Sequence, residues 1–205
     1  MRIIDNMRIE ILILAAGNSS RMGGINKLLK TTNSLRLVEL VINEANKSIA
    51  DQISIVIPPE KSDLWGFLDN YSIHQLRKDD TKHGIGHSIA CGIEAIKERC
   101  PDGVMILLAD MPEIKADHLD IMIKNFFDNP TKKIIRATSS TGMPGNPVLF
   151  SNDFFNDLVT LKGDIGAKKL IMKNLKFVLD VPLPGDSAII DLDTNDDWER
   201  WDHPA

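Results

Sequence analysis

The stretch Ile9-Glu10-Ile11-Leu12-Ile13-Leu14-Ala15-Ala16-Gly17, near the start of the 205-residue sequence, decides the fold. The run from Ile9 to Leu14 is typical of a parallel strand that is covered on both faces of a sheet. The run from Ile11 to Ala16 is too short to span a membrane, and Arg8 and Glu10 adjoin it, so we interpret it as a buried strand rather than a signal peptide. A loop rich in Gly, Ser and Asn follows, from Gly17 to Asn26.

Strands and helices alternate along the rest of the sequence. We predict further strands at Ile53–Ile57, Gly103–Ala109, Lys133–Thr138, Pro147–Phe150, Lys176–Val181 and Ala188–Leu192. We predict helices around Leu37–Ala45 and at Gly84–Glu98, Ala116–Phe127, Ser151–Leu161 and Asp164–Leu175, with a capping box at Thr194-Asn195-Asp196-Asp197 that opens a short last helix. This alternation predicts an α/β fold, a three-layer α/β/α sandwich with a mostly parallel sheet. Ligands of such sheets bind at the carboxyl ends of the strands, which here include the loops after Leu14 and Ala109.

The composition bounds the class of protein. Hydrophobic residues make up 43% and charged residues 26%, which is ordinary for a globular chain and excludes a disordered one. Two cysteines, Cys91 and Cys100, are too few for a disulfide framework and are expected as free thiols in a cytoplasmic protein. We find no repeat or linker and predict one domain over residues 1–205, with a monomer as the default state.

The charge is unevenly distributed. With 24 Lys and Arg against 29 Asp and Glu, the net charge of −5 argues against a nucleic-acid partner. The segment from Asp186 to Asp202 holds seven acids and one base, so most of the acidic excess lies there. We interpret Asp196, Asp197, Glu199 and Asp202 as a solvated acidic tail.

The loop between Leu14 and Lys27 has the parts of a phosphate site. It matches neither of the two common glycine-rich phosphate motifs. Its small residues nonetheless let the backbone approach a ligand, and successive N–H groups can hold phosphate oxygens. Arg21 and Lys27 add positive charge. The alternative is a solvated turn with incidental cations.

The loop resembles that of a known family. Leu14-Ala15-Ala16-Gly17-x-Ser-x-Arg21-Met-Gly, followed by Asn-Lys27-Leu-Leu, is similar to the signature loop of Rossmann-like nucleotidyltransferases and, more narrowly, of molybdenum cofactor cytidylyltransferases. The resemblance runs from about Ile9 to Asp197. It implies that Leu14, Ala15, Ala16 and Gly17 wrap the triphosphate, and that Arg21 and Lys27 neutralise it during catalysis. Ala16 stands where guanylyltransferase relatives have Gly, which favours cytidine.

A second match, Gly84-Ile85-Gly86-His87-Ser88, opens a predicted helix. Glycines at a helix start suit close approach of the backbone to a ligand. The resemblance implies that Gly84 and Ser88 lie against the base and ribose of the nucleotide. His83 and His87 have the spacing of metal ligands, but no Glu follows His83, so we do not predict a zinc site.

Asp110 ends a predicted buried strand in Leu107-Leu108-Ala109-Asp110-Met111-Pro112. A carboxylate at a strand tip is suited to holding Mg²⁺ on phosphate oxygens, although it could simply cap the next turn. The resemblance implies the metal role and makes Asp110 catalytic. It also implies that Asp193 joins Asp110 around Mg²⁺. Asp191 and Asp193 share one face if that segment is extended.

Two later segments resemble the acceptor-binding part of the family. They contain Gly145 and Asn146 in one case, and Gly163 and Asp164 in the other, with Lys168 where Arg is usual. The resemblance implies that they bind a pterin, although turn formation alone explains such Gly and Pro residues. Residues 1–112 would then be mainly the nucleotide-binding half and residues 113–205 mainly the acceptor half.

The resemblance implies an enzyme that uses Mg²⁺ to transfer CMP from CTP to the phosphate of molybdopterin, releasing pyrophosphate. Its partners would be CTP, a molybdopterin-type acceptor, and a molybdoenzyme or its maturation factor, without nucleic acid or membrane. Two alternatives stay open. One is a nucleotidyltransferase acting on a sugar or alcohol phosphate, and the other is a non-catalytic protein that delivers the cofactor to a molybdoenzyme.

Overall fold

The computed structural model describes residues 7–16, 26–32, 34–57, 64, 68, 74–77 and 84–202. Gly17 and Arg21, which the resemblance places at the phosphates, lie outside the described residues. His83 does as well.

The bounds of the elements agree closely with the predicted alternation. The strands are β1 (Ile9–Leu14), β2 (Thr31–Thr32), β3 (Leu35–Arg36), β4 (Gln52–Ile57), β5 (His74–Arg77), β6 (Gly103–Leu108), β7 (Ile134–Thr138), β8 (Pro144–Ser151) and β9 (Val178–Pro182). The α-helices are α1 (Leu37–Lys47), α2 (Gly84–Ile96), α3 (Ala116–Asp128), α4 (Phe155–Leu158), α5 (Lys168–Lys173) and α6 (Asn195–Asp202). None of these helices combines the length and apolar character that a membrane crossing requires.

One sheet organises the described residues. Its seven strands lie in the order β5-β4-β1-β6-β8-β7-β9, and β2 and β3 form a separate pair. The neighbours β5, β4, β1 and β6 are parallel, β8 is antiparallel to both β6 and β7, and β9 is again parallel to β7. The prediction of a mostly parallel sheet is confirmed, and among the described strands of the seven-stranded sheet only β8 is reversed.

The two faces of β1 pack against different helices. Ile11 and Ile13 belong to a core with residues of α1, α3 and α6, whereas Leu12 and Leu14 belong to a second core with residues of α2, α4 and α5. Burying each such side chain contributes about 1.5–3 kcal/mol. The predicted three-layer sandwich is confirmed, because β1 is covered on both faces.

Helix α2 packs unusually close to β1. A Cβ added at Gly92 would lie 2.5 Å from Leu12 Cδ2, so a larger residue would force either the Leu12 side chain or the helix to shift. Glu10 interrupts the apolar pattern of β1, and its buried carboxylate accepts hydrogen bonds from Ser54 Oγ at 2.5 Å and from Arg99 Nε at 3.1 Å. Arg99 follows the end of α2, so this ion pair fixes the far end of the helix to the sheet.

Three predictions in the last third of the chain need correction. Residues 188–192 do not form a strand, because Ile189 and Ile190 donate their N–H groups to Asp186 O in a tight turn. The helix predicted at Asp164–Leu175 is shortened to α5, since Gly166 has φ +58° and breaks the helical path. The helix predicted at Ser151–Leu161 is a 3₁₀ turn, Asn152–Phe154, followed by the short α4. Strands β2, β3 and β5 were not predicted.

Candidate active site

The two loops singled out in the sequence begin side by side. Leu14, at the end of β1, lies in register with Leu108, at the end of β6. Leu14 O accepts a hydrogen bond from Ala109 N at 3.2 Å, and Ala15 N donates to Val56 O at 2.9 Å. Carboxyl ends of neighbouring parallel strands meet at one edge of a sheet, and this edge carries the candidate site.

The side chains of Leu14, Ala15 and Ala16 are buried in the two cores. These side chains therefore pack the strand end rather than face a ligand. Contact with a nucleotide, as the resemblance implies, would have to come from their backbone. Ser88 is likewise buried, on α2.

Lys27 opens a single 3₁₀ turn, Lys27–Leu29. Asn26 caps this turn, since its Oδ1 accepts a hydrogen bond from Leu28 N at 3.1 Å. Leu28 is buried in the core that also holds α1 and α6. The cap and the buried leucine together fix the start of the Lys27 side chain.

The ammonium group of Lys27 lies between two carboxylates that are distant in the sequence. Lys27 Nζ is 2.6 Å from Asp110 Oδ2, and it also forms an ion pair with Asp193 Oδ1. Burial alone would lower the pKa of Lys27, but the charges and hydrogen bonds of Asp110 and Asp193 outweigh it and raise the pKa above its ordinary value of 10.5. Lys27 is therefore charged at neutral pH.

Asp191 adds a third carboxylate. One oxygen each of Asp110, Asp191 and Asp193 lies within 4.8 Å of the other two. Burial first, and then the charges of Asp110 and Asp193, raise the pKa of the Asp191 carboxyl above its ordinary value of 3.8. The cluster therefore contains more negative charge than Lys27 neutralises. Sequence reasoning gave Asp191 no role, although its spacing from Asp193 could have indicated one.

The cluster has the donor set for a divalent cation. Asp110 Oδ1 is buried and accepts no hydrogen bond from the described residues. An unpaired buried carboxylate oxygen is costly unless a cation compensates it. Carboxylate oxygens are the preferred ligands of Mg²⁺ and Mn²⁺. The residues present thus fit a divalent metal ion.

The backbone holds Asp193 from both sides. Leu192 N donates to Asp110 O at 3.0 Å, which ties the segment to the end of β6. On the other side, Asp197 Oδ2 accepts hydrogen bonds from Thr194 N at 2.7 Å and from Asp193 N at 3.2 Å. The predicted capping box is confirmed, because Asp197 N donates to Thr194 Oγ1 in return. The interpretation of Asp197 as a merely solvated acid is wrong, whereas Asp196 and Glu199 are exposed.

The predicted nucleotide and acceptor segments touch each other. Gly86 N donates to Gly163 O at 2.8 Å. Gly84 has φ +70°, and a Cβ there would lie 2.6 Å from the carbonyl carbon of Gly163 and would also clash with Asp164. The start of α2 therefore has no room for a side chain where it meets the Gly163 loop.

The second predicted acceptor segment packs on the chain that leads to Asp191. Asn146 N donates to Ala188 O at 2.8 Å. A Cβ at Gly145 would lie 2.7 Å from the carbonyl carbon of Ala188. The structure thus places Gly145 and Asn146 against the turn that precedes the carboxylate cluster.

A cavity of about 600 Å³ lies beside Asp191. Ile189, Ile190 and Trp201 provide apolar wall, and Trp201 Nε1 donates to Glu113 Oε1 at 2.5 Å. The sequence did not single out Glu113 and Trp201 as lining residues, because neither belongs to a segment that resembles the family's site. The cavity is lined on one side by Asp191 of the carboxylate cluster and on the other by residues of α6.

The sequence model of the family described as MobA-like NTP transferase domain matches residues 11–177. The chain belongs to this family. The match includes Lys27 and Asp110 and ends before Asp191 and Asp193. This MobA-like chain is 31% identical over 169 residues to the purine catabolism protein PucB of Bacillus subtilis strain 168, and the alignment covers 78% of each protein.

Solved structures agree with this assignment at the level of the fold. Rv0371c from Mycobacterium tuberculosis H37Rv superposes with a TM-score of 0.80 at 23% identity, over 96% of this chain and 98% of that one. The same protein has been solved in complex with manganese, with a TM-score of 0.78 at 22% identity, over 97% and 100% of the two chains. A CMP:2-keto-3-deoxy-manno-octonic acid synthetase complexed with CTP superposes with a TM-score of 0.75 at 12% identity, over 95% and 97%. The MobA-like chain is a nucleotidyltransferase.

Proposed function

We propose that this nucleotidyltransferase transfers CMP from CTP to the terminal phosphate of molybdopterin. The observation that carries the proposal is the ion-paired cluster of Lys27, Asp110 and Asp193 at the carboxyl ends of β1 and β6, with Asp191 beside it. Such a cluster suits a reaction that brings two anions together. The Leu14-Ala15-Ala16-Gly17 sequence supports CTP as the nucleotide, and the structural neighbour solved with CTP agrees with that choice.

We assign the metal to Asp110 and Asp193, with Asp191 as a third carboxylate, and propose Mg²⁺ as the ion. When bound, Mg²⁺ would withdraw negative charge from phosphate oxygens. The raised pKa of Asp191 and the unpaired Asp110 Oδ1 support a site that is incomplete without a cation. The manganese complex of Rv0371c shows a divalent ion in a protein of the same fold.

Lys27 and Arg21 are proposed to act on the triphosphate. In the reaction, an oxygen of the acceptor phosphate attacks the α phosphorus of CTP. The bond from that phosphorus to the oxygen bridging the β phosphate breaks, and its electron pair leaves on pyrophosphate. The charged Lys27 ammonium is suited to stabilising this leaving group. The nucleophile is already an anion, so the site needs positioning and charge neutralisation rather than a strong general base.

The acceptor is proposed to bind along the segments that contain Gly163 and Asp164 and Gly145 and Asn146. Gly163 and Asp164 lie against the start of α2, where Gly84 and Ser88 are proposed to contact the base and ribose. Gly145 and Asn146 lie on the turn that leads to Asp191. This arrangement supports a nucleotide-binding half in residues 1–112 and an acceptor half in residues 113–205, within one domain.

A pyrophosphate-release assay tests the proposal. CTP, GTP and ATP are each supplied with Mg²⁺, alone, with molybdopterin, or with a sugar or alcohol phosphate, and reactions without protein give the background. We expect release with CTP and only when molybdopterin is present. Release with a sugar or alcohol phosphate instead of molybdopterin would overturn the acceptor assignment, and tight molybdopterin binding without any release would favour a delivery protein.

A further inference from the structure

We propose that Asp197 is a positioning residue for the metal site, and that α6 sets the separation of Lys27 and Asp193. We assign Asp197 no contact with substrate or metal, and its effect is exerted through the backbone of Asp193. This inference rests on the metal assignment of the proposed function. It reassigns part of the acidic C-terminal segment from solvated surface to support of the site.

The carboxylate of Asp197 is almost fully occupied by hydrogen bonds. Oδ2 accepts from Asp193 N at 3.2 Å, from Thr194 N at 2.7 Å and from Thr194 Oγ1 at 2.7 Å. Oδ1 accepts from the exposed Arg200 NH2 at 2.9 Å. Hydrogen bonds from Thr194, opposed in part by burial, hold the pKa of Asp197 below its ordinary value of 3.8. Charge-assisted bonds of this kind are stronger than neutral ones.

These bonds exceed what capping alone requires. A capping box needs one bond from the carboxylate to the N-cap N–H, here that of Thr194. The additional bond to Asp193 N restrains the residue before the cap, which carries the proposed metal ligand. Residues 191–193 belong to no helix or strand, so a sheet or helix ladder does not fix their backbone. Asp197 on one side and the Leu192–Asp110 bond on the other supply that restraint.

Helix α6 also reaches the turn that carries Lys27. The ammonium of Lys30 lies 4.2 Å from the ring centroid of Trp198, which is buried. Lys30 closes the Lys27–Leu29 turn through its N–H, which donates to Lys27 O at 3.2 Å. One helix therefore contacts the segments that bear both partners of the Lys27–Asp193 ion pair. Its position fixes how far apart they lie.

The test measures Mn²⁺ affinity by electron paramagnetic resonance, with the metal alone as the probe, together with kcat and KM. Asp197→Ala removes the whole carboxylate, and Asp197→Asn keeps one acceptor oxygen should the alanine variant fail to fold. Glu199→Gln is the matched control, because it removes the same charge from an exposed position of the same helix. Leu158→Val is a second control, because it lowers the stability of the protein through a buried position on α4.

We expect Asp197→Ala to raise the Kd for Mn²⁺ about tenfold or more, since loss of a group that orients a metal ligand typically costs 10–100-fold in affinity. We expect Asp197→Asn to show a smaller increase, with kcat falling more than KM rises in both. Glu199→Gln and Leu158→Val are expected to keep the wild-type Kd at a temperature where all variants are folded. A lowered melting temperature with unchanged Kd in both Asp197 variants would overturn the inference.

Asp193→Ala separates this inference from the proposal on which it rests. If Asp193→Ala weakens Mn²⁺ binding while both Asp197 variants bind normally, the positioning role is wrong and the metal site stands. If Asp193→Ala binds Mn²⁺ like the wild type, the metal assignment itself is wrong, and the inference is overturned with it.

Discussion

Lys27 Nζ lies 2.6 Å from Asp110 Oδ2, although the two residues are 83 positions apart in the sequence. The same ammonium is paired with Asp193. The positive charge thus occupies the space between two carboxylates that we assign to a divalent metal ion. It neutralises one of the three negative charges of Asp110, Asp191 and Asp193, and the cluster keeps an attraction for further cations.

Lys27→Met should tighten metal binding while it slows the reaction. The ammonium repels a dication and competes for the same oxygens, so its loss should lower the Kd for Mn²⁺ about tenfold, or ~1.4 kcal/mol. The variant also lacks the positive charge that stabilises the pyrophosphate leaving group, which should reduce kcat by about 10²–10³-fold. Titration calorimetry and steady-state rates measure the two effects. Lys47→Met, at an exposed position, is the control, and weaker Mn²⁺ binding by Lys27→Met would contradict this account.

Asp110→Asn should reduce kcat about 10³-fold or more. The substitution keeps the volume of the side chain but removes the negative charge, and it replaces one carboxylate oxygen with an amide group that does not bind a hard cation. Initial rates at saturating Mg²⁺ give the result, and circular dichroism checks the fold. Asp117→Asn, at an exposed position of α3, serves as the matched control. A near-normal rate for Asp110→Asn would remove Asp110 from the metal site.

Gly84→Ala should impair binding of both the nucleotide and the acceptor. The new Cβ would lie 2.6 Å from the carbonyl carbon of Gly163, so the two segments must separate. We expect higher KM values for both substrates, and an additional loss of about 1–2 kcal/mol in stability because φ is +70°. Gly185→Ala separates the two effects, since φ is +56° there and nothing lies within 4 Å. Equal kinetics for the two variants would argue against contact of the segments in the working enzyme.

Arg99→Ala should destabilise the protein without changing its chemistry. The substitution removes the hydrogen bonds that Arg99 donates to the buried Glu10 carboxylate. The bond from Ser54 Oγ to Glu10 is kept. Removing one partner of a buried ion pair costs several kcal/mol, and the partial exposure of Arg99 reduces this to about 2 kcal/mol. Urea denaturation measures the change. Lys97→Ala, which breaks an exposed pair with Glu94 three residues earlier, should change the free energy of unfolding by less than about 1 kcal/mol.

Much of the fold could be predicted, because the signal is local. The apolar pattern of β1, α2, β6 and α3 reports burial directly, and each of these elements was predicted to within three residues at either end. The last third was harder. Ala188 to Leu192 has the composition of a strand, but the N–H groups of Ile189 and Ile190 bond to Asp186 O in a turn. Hydrogen-bond partners of that kind cannot be read from residue type.

The sequence by itself determined the strand–helix alternation, the loop after Leu14 and the strand-end position of Asp110, since these follow from hydrophobic period and spacing along the chain. Only the tertiary structure decided that Lys27 pairs with Asp110, that Asp191 joins the cluster, and that Asp197 holds Asp193. These relationships join residues from separate loops, and their strength depends on burial and distance. Both quantities exist only once the strands have brought their carboxyl ends to one edge of the sheet.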